Sequence, residues 1–167
     1  MVTTWNELAS RLGRNDLPEA LAYNFEKLTA VELADAVCEA WSGAEYPERL
    51  LTQGVWMAMF DRADYVIDGK PADRETLPDW VTVYRGAIPD RRDGMAWTGD
   101  INTARWFANR FTGILPGDKT GRVYKLTVAR EFVLARITGR NEDEYIIDTQ
   151  DLDEVEWVDV TDEAAAA

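Results

Sequence analysis

Along the first 67 residues, apolar positions recur at helical spacing. Thr4 and Glu7 stand three apart just ahead of Leu8 and Leu12, which is the spacing of a capping box. Thr29 and Glu32 repeat it ahead of Leu33, Val37 and Trp41, and these three fall on one helical face. Pro47 suits the first turn of a helix over "PERLLTQGVWMAMFDRA", where Leu50, Leu51, Val55, Met59 and Phe60 form a broad apolar stripe. All of these apolar residues read as core, with Met and Trp filling the gaps. The segment "DGKPADRETLPD", residues 68–79, is rich in turn formers and charge and reads as a loop.

Beyond that loop the period changes. "WVTVYRG", "GRVYKLTV", "FVLARI", "YIID" and "VEWVDV" are short β-branched and aromatic runs, each a strand by pattern. One helix interrupts them, "DINTARWFANRF" at 100–111, with Asp100 as N-cap. Ile101, Ala104, Phe107, Ala108 and Phe111 share its apolar face. The pattern predicts an α+β fold, with a helical part over 1–67 and a β-rich core over 80–160. The chain has 167 residues and is expected to form a single domain, able to bury roughly 68–70% of its unfolded surface. Residues 161–167, which end in "DEAAAA", are expected to be a disordered tail.

Composition narrows the chemistry. The chain has no His, so it lacks the usual imidazole base and the commonest metal ligand, and a Ser-His-Asp mechanism is closed to it. Cys38 is the single cysteine, so no internal disulfide can form. The net charge of −13 argues against broad binding to a phosphate backbone, so nucleic acid is not an expected partner. The N-terminal "MVTTWNELASRL" lacks an apolar signal region, and no run of 18 apolar residues occurs. The expectation is a cytoplasmic protein with no membrane partner.

Three segments carry candidate chemistry: "VYRG" at 83–86, "AWTGDINTARWFA" at 96–108 and "NEDEYIID" at 141–148. Each has a bland reading. Arg85 at a strand end suits an ion pair, Thr98 suits a turn near a helix start, and three acidic residues suit a solvated loop. If the acidic run lies on a strand, Glu142 and Glu144 face one side together and Asp143 is a spacer facing away. Two close carboxylates raise each other's cost of ionisation, which a cationic ligand or an arginine would relieve.

Taken in order, the three segments resemble the motifs of the R-S-E class of ADP-ribosyltransferases. "VYRG" is similar to the strand-end Arg motif, "AWTGDINTARWFA" to the Ser-Thr-Ser motif with its A-x-x-F-A helix, and "EDEYII" to the Glu-x-Glu motif. The resemblance covers residues 80–160. It implies a split, mainly antiparallel β-sheet core flanked by the helical N-terminal part. It also implies NAD as substrate and no metal. Arg85 would hold a phosphate or ribose of NAD, and Gly86 would let the backbone approach the nicotinamide amide. Thr98 would hydrogen-bond near the catalytic Glu or the nicotinamide ribose, and Trp97 is a candidate aromatic wall that could equally be core. Glu144 would be the catalytic carboxylate and Glu142 would orient or deprotonate the acceptor; Phe107 is core. Two departures stand out. Ala96 and Trp97 replace the first two residues of the Ser-Thr-Ser motif, and the loop "RITGRN" has no aromatic residue to grip a target. The resulting expectation is an NAD-dependent mono-ADP-ribosyltransferase acting on a protein at arginine, as a phage or bacterial intracellular effector. The alternatives are a catalytically inactive binding or inhibitor protein of the same fold and an NAD glycohydrolase.

Overall fold

The computed structural model describes residues 4–110, 120–150, 152 and 157–165, the side chains of 157, 164 and 165 excepted. The chain divides into two compact units, Met1–Asp73 and Arg74–Ala167, where the sequence reading expects one domain. The break falls inside the loop expected at 68–79. Among the described residues are seven α-helices and eight strands, an α+β composition.

The first unit holds α1 (Trp5–Ala9), α2 (Leu17–Asn24), α3 (Ala30–Gly43), α4 (Pro47–Leu50) and α5 (Gln53–Ala63). Both expected capping boxes close: Thr4 with Glu7 and Thr29 with Glu32 each exchange side-chain and backbone bonds. Each cap satisfies amide donors that the first helical turn leaves without partners, worth about 1 kcal/mol apiece. Leu33, Val37 and Trp41 are buried along α3 as their spacing predicts. The Trp41 ring stands edge-on to Trp56 and Phe60 at 5.0 and 5.8 Å, the geometry that aligns ring edges with ring faces.

Two expectations need correction here. The single helix read over 47–63 is broken, because Leu51 is extended and Thr52 starts a new helix by accepting the Val55 amide with its side chain. A threonine cap competes locally with helix continuation, and Leu50 is left exposed instead of joining the stripe. Residues 66–71 form a hairpin, β1 (Val66–Ile67) and β2 (Lys70–Pro71), where the sequence reading has a helical end and a loop. Asp68 and Gly69 make its turn with φ of 48° and 78°, the left-handed pair that suits a tight hairpin. Two-residue strands are too short to show alternation in sequence.

The second unit contains β3 (Trp80–Ala87), β4 (Ala96–Thr98), β5 (Arg122–Ala129), β6 (Val133–Ile137), β7 (Glu144–Ile147) and β8 (Trp157–Asp159), with α6 (Ile101–Asn109) and α7 (Thr161–Ala165). Its strands lie in the order β6-β7-β4-β3-β5-β8, and every pairing is antiparallel. The β3–β5 ladder is complete from Trp80↔Ala129 to Ala87↔Arg122. By contrast, β3 meets β4 in register only at Tyr84↔Thr98. Val81, Val83, Tyr124, Leu126 and Val128 bury one face. On the other, α6 sits directly on the sheet, since a Cβ on Gly86 would overlap the Ala104 carbonyl oxygen and one on Gly121 the Ala108 carbonyl oxygen. Ala104, Ala108, Val123 and Val160 form the apolar cluster beneath it. Of the helical face read at 100–111, Phe111 lies outside the described residues, as does the first part of the last predicted strand, 155–156.

The tail expected to be disordered from 161 instead begins as helix α7, and only 166–167 fall outside the described residues. Its anchor is local. The Thr161 amide and hydroxyl both donate to Asp159 Oδ1, at 3.0 and 2.6 Å, and Arg122 Nε donates to Asp159 Oδ2 at 2.8 Å. The Thr161 hydroxyl also accepts the Val123 amide at 3.0 Å, and alanine then propagates a helix better than any other residue. Partial burial pushes the Asp159 carboxyl up, but the bonds from Arg122 and Thr161 outweigh it and hold it below its ordinary value.

Two outcomes are expected. Gly86→Ala should lower unfolding stability by about 3 kcal/mol in urea titrations, because backbone rather than a flexible side chain occupies the space. Because the folded pKa of Asp159 is depressed, its stabilisation is present above the ordinary carboxylate range and is lost as pH falls through the folded value. Urea midpoints of wild type and Asp159→Asn should therefore differ at pH 7 and converge as pH falls below the ordinary carboxylate value; a constant gap would refute this assignment.

Candidate active site

Alternation along β3 places Arg85 on the face of Val81 and Val83, near the strand's end. Its guanidinium is anchored. Nε donates to the Arg91 carbonyl at 3.1 Å and Nη1 to the Ala96 carbonyl at 2.6 Å. A side chain at Gly94 would run into this guanidinium. Arg85 thus ties the 3-10 turn at Pro89–Arg91 to the first residue of β4. Charged donors make the stronger class of hydrogen bond, so this tie is firm.

Thr98, at the other end of β4, pairs with Tyr84 on one side and with Glu144 on the other. Directly opposed residues of antiparallel strands share a face, so Tyr84, Thr98 and Glu144 form one row across β3, β4 and β7. Arg85 is one residue past that row and, by alternation, on the opposite face of the sheet. The structure therefore brings Thr98 and Glu144 together and leaves Arg85 linked to them through the backbone of Ala96. The Thr98 side chain is buried, and its hydroxyl is fully used. It donates to the Glu142 carbonyl at 2.7 Å and accepts the Asp100 amide at 3.1 Å. Asp100 in turn caps α6 through the Asn102 amide at 2.9 Å.

The acidic segment departs from the strand geometry read in sequence. A 3-10 turn at Gly139–Asn141 leads into it, Glu142 has helical backbone angles, Asp143 has φ of 42°, and β7 starts only at Glu144. Strand alternation therefore does not apply between 142 and 144, and the same-face argument for Glu142 and Glu144 falls. Asp143 is no spacer either. Its Oδ1 accepts Arg136 Nε at 2.9 Å and is paired with Nη2 at 2.8 Å, while its carbonyl accepts the Gly99 amide at 3.1 Å. Arg136 also lies over the Tyr145 ring at 5.2 Å, opposite it in the β6–β7 ladder. Burial pushes the Tyr145 phenol up, and the Asp143 charge adds to the rise.

The remaining candidates are placed as follows. Trp97 is only 2% exposed and donates Nε1 to the Gly94 carbonyl at 2.8 Å, so it packs in the core and offers no wall to a ligand. Gly86 lies under α6, which accounts for its missing side chain without any ligand. Phe107 is half-buried and stands edge-on to the exposed Trp106 at 5.0 Å. Arg136 and Asp143 were invisible in sequence as a pair. A seven-residue separation across a turn has no periodic signature.

Among the described residues, no group of three or more His, Cys, Asp or Glu is placed to hold a metal ion. Among them, too, no helix is long and apolar enough to cross a membrane. No family model, curated protein or solved structure matches the chain. What the arrangement offers chemically is a carboxylate at a strand start, a buried hydroxyl that fixes the chain leading to it, and a guanidinium on the neighbouring strand.

Thr98→Val should cost about 1–3 kcal/mol in chemical denaturation, because it leaves the Glu142 carbonyl and the Asp100 amide without their partner. Thr98→Ser should recover most of the loss; equal destabilisation by both would show that the methyl group, not the hydroxyl, matters.

Proposed function

We propose that the protein is an NAD-dependent mono-ADP-ribosyltransferase that modifies a protein acceptor at arginine. The observation that carries this reading is the linkage of the three motifs. Arg85 bonds the Ala96 carbonyl at 2.6 Å, and Thr98 bonds the Glu142 carbonyl at 2.7 Å, so segments far apart in sequence are tied in the order Arg, Thr, Glu-x-Glu. Register adds to it, since Thr98 stands directly opposite Glu144. β3 and β4 meet in register only at Tyr84↔Thr98, although the strands run on as one continuous sheet where the resemblance implies a split one.

The donor set suits such a substrate. A guanidinium complements a diphosphate, and a carboxylate complements ribose hydroxyls. In this reading Arg85 binds the anionic part of NAD. Glu144 accepts a ribose hydroxyl and stabilises the positive charge that develops at the ribose carbon as its bond to nicotinamide breaks, the bonding pair leaving with nicotinamide. Glu142 takes the proton that the acceptor nitrogen loses on attacking that carbon. Thr98 acts at one remove, by positioning the acidic segment. Gly86 keeps its backbone near Arg85, whereas Trp97 has no part in binding.

One observation favours the inactive, binding-only reading. Arg85 commits Nε and Nη1 to backbone carbonyls, which is a structural task in itself, and alternation turns it to the face opposite Thr98 and Glu144. Incubation with labelled NAD and a bacterial lysate decides between the two. Wild type should label a protein and release nicotinamide, and Glu144→Gln should lower nicotinamide release by about 100-fold or more. If wild type does neither, the transferase reading fails; if release proceeds without label, the protein is an NAD glycohydrolase; if the Gln variant keeps full turnover, Glu144 is wrongly assigned.

A further inference from the structure

We propose that Asp143 is a positioning residue for Glu144, locked by Arg136, Thr98 and Gly99. The proposal rests on the reading of Glu144 as the carboxylate that acts on NAD. Three independent ties converge on two successive residues before Glu144. Arg136 on β6 reaches Asp143 Oδ1 with two nitrogens, at 2.9 and 2.8 Å. The Gly99 amide donates to the Asp143 carbonyl at 3.1 Å. Thr98 holds the Glu142 carbonyl at 2.7 Å. β6 and the end of β4 therefore both fix the segment that delivers Glu144.

The backbone around Asp143 would not hold this path unaided. Arg140, Asn141 and Asp143 all have positive φ, at 63°, 58° and 42°. Left-handed backbone in non-glycine residues persists where surrounding contacts over-determine it, and Asp and Asn tolerate it best among side-chain-bearing residues. The neighbour on the other side is matched to the lock. A Cβ on Gly99 would press on Asp143 Oδ2 and on the Tyr145 ring. Both charged side chains of the Arg136–Asp143 pair are about one-third exposed, at 36% and 37%. A pair that open adds little to global stability, so its effect should register in geometry.

The test uses the full chain with Asp143→Ala, Arg136→Ala, their double variant and Asp143→Asn. Steady-state nicotinamide release from NAD and amide exchange of Gly99 by NMR are read together. Either alanine variant should lower kcat by about 10- to 100-fold, as misplacement of a reacting group does, with KM for NAD nearly unchanged. The double variant should be no worse than the poorer single one, since both break the same lock. Asp143→Asn keeps an acceptor oxygen and left-handed tolerance and should regain most of kcat. Gly99 exchange should speed up in both alanine variants. Unchanged kcat in both overturns the proposal, even if melting temperature falls. If wild type shows no turnover, the NAD reading fails separately; faster Gly99 exchange in both variants then still upholds the lock, and unchanged exchange overturns it.

Discussion

The seat of α6 on Gly86 and Gly121 is the constraint from which the second unit's geometry follows. Helix backbone lies where two side chains would otherwise be, on both β3 and the entry to β5. That contact sets how close the helix comes, and the apolar cluster of Ala104, Ala108, Val123 and Val160 closes around it, with Tyr84 and Ile101 packed at its edge. Because α6 begins at Ile101, the same seat decides where β4 must stop. Only Gly99 and Asp100 separate the strand's last residue, Thr98, from the helix. The Thr98 hydroxyl spans this turn, accepting the Asp100 amide while reaching across to the Glu142 carbonyl. Helix seat, strand end and acidic segment are thus one connected arrangement.

In a chain of net charge −13, carboxylates cannot all find cations, and the structure spends its arginines selectively. Arg122 and Arg136 each meet one aspartate, Asp159 and Asp143, and each pairing stabilises a chain segment that lacks a long ladder of its own. Both pairs are partly exposed, so the Coulomb energy is modest and screened by salt. Their value is directional: each guanidinium fixes a carboxylate that is itself bound to a turn or a short strand. The buried Thr98 hydroxyl is different in kind. Its own side chain is buried while its partners are only partly so, and leaving them unpaired carries part of the desolvation penalty.

Local chemistry was legible wherever a few adjacent residues decide the outcome. The Thr4–Glu7 and Thr29–Glu32 boxes, the buried face of α3 and the long strands β3 and β5 follow from spacing alone. The break at Leu51 and Thr52 was missed although its signal was present, since a threonine cap inside an apolar stripe competes with a pattern that favours continuation. The hairpin at 66–71 carried a readable Asp-Gly turn, but strands of two residues have no period. At the site, the motif residues were legible by type and order. Their environments were not: Trp97 became core, Gly86 became the floor beneath α6, and Glu142 fell outside β7.

The acidic run 142–144 shows where the division lies. The sequence by itself determined that carboxylates stand immediately before an apolar strand, with arginine and threonine motifs upstream. It also determined that no imidazole is available. Only the tertiary structure decided that Asp143, not its flanking glutamates, bears the lock, and that Thr98 stands opposite Glu144 while Arg85 sits one pleat away. The physical reason is that register and left-handed backbone are set by partners on other strands. Arg136, Gly99 and Thr98 impose them through bonds whose energy depends on three-dimensional proximity, which residue order alone does not encode.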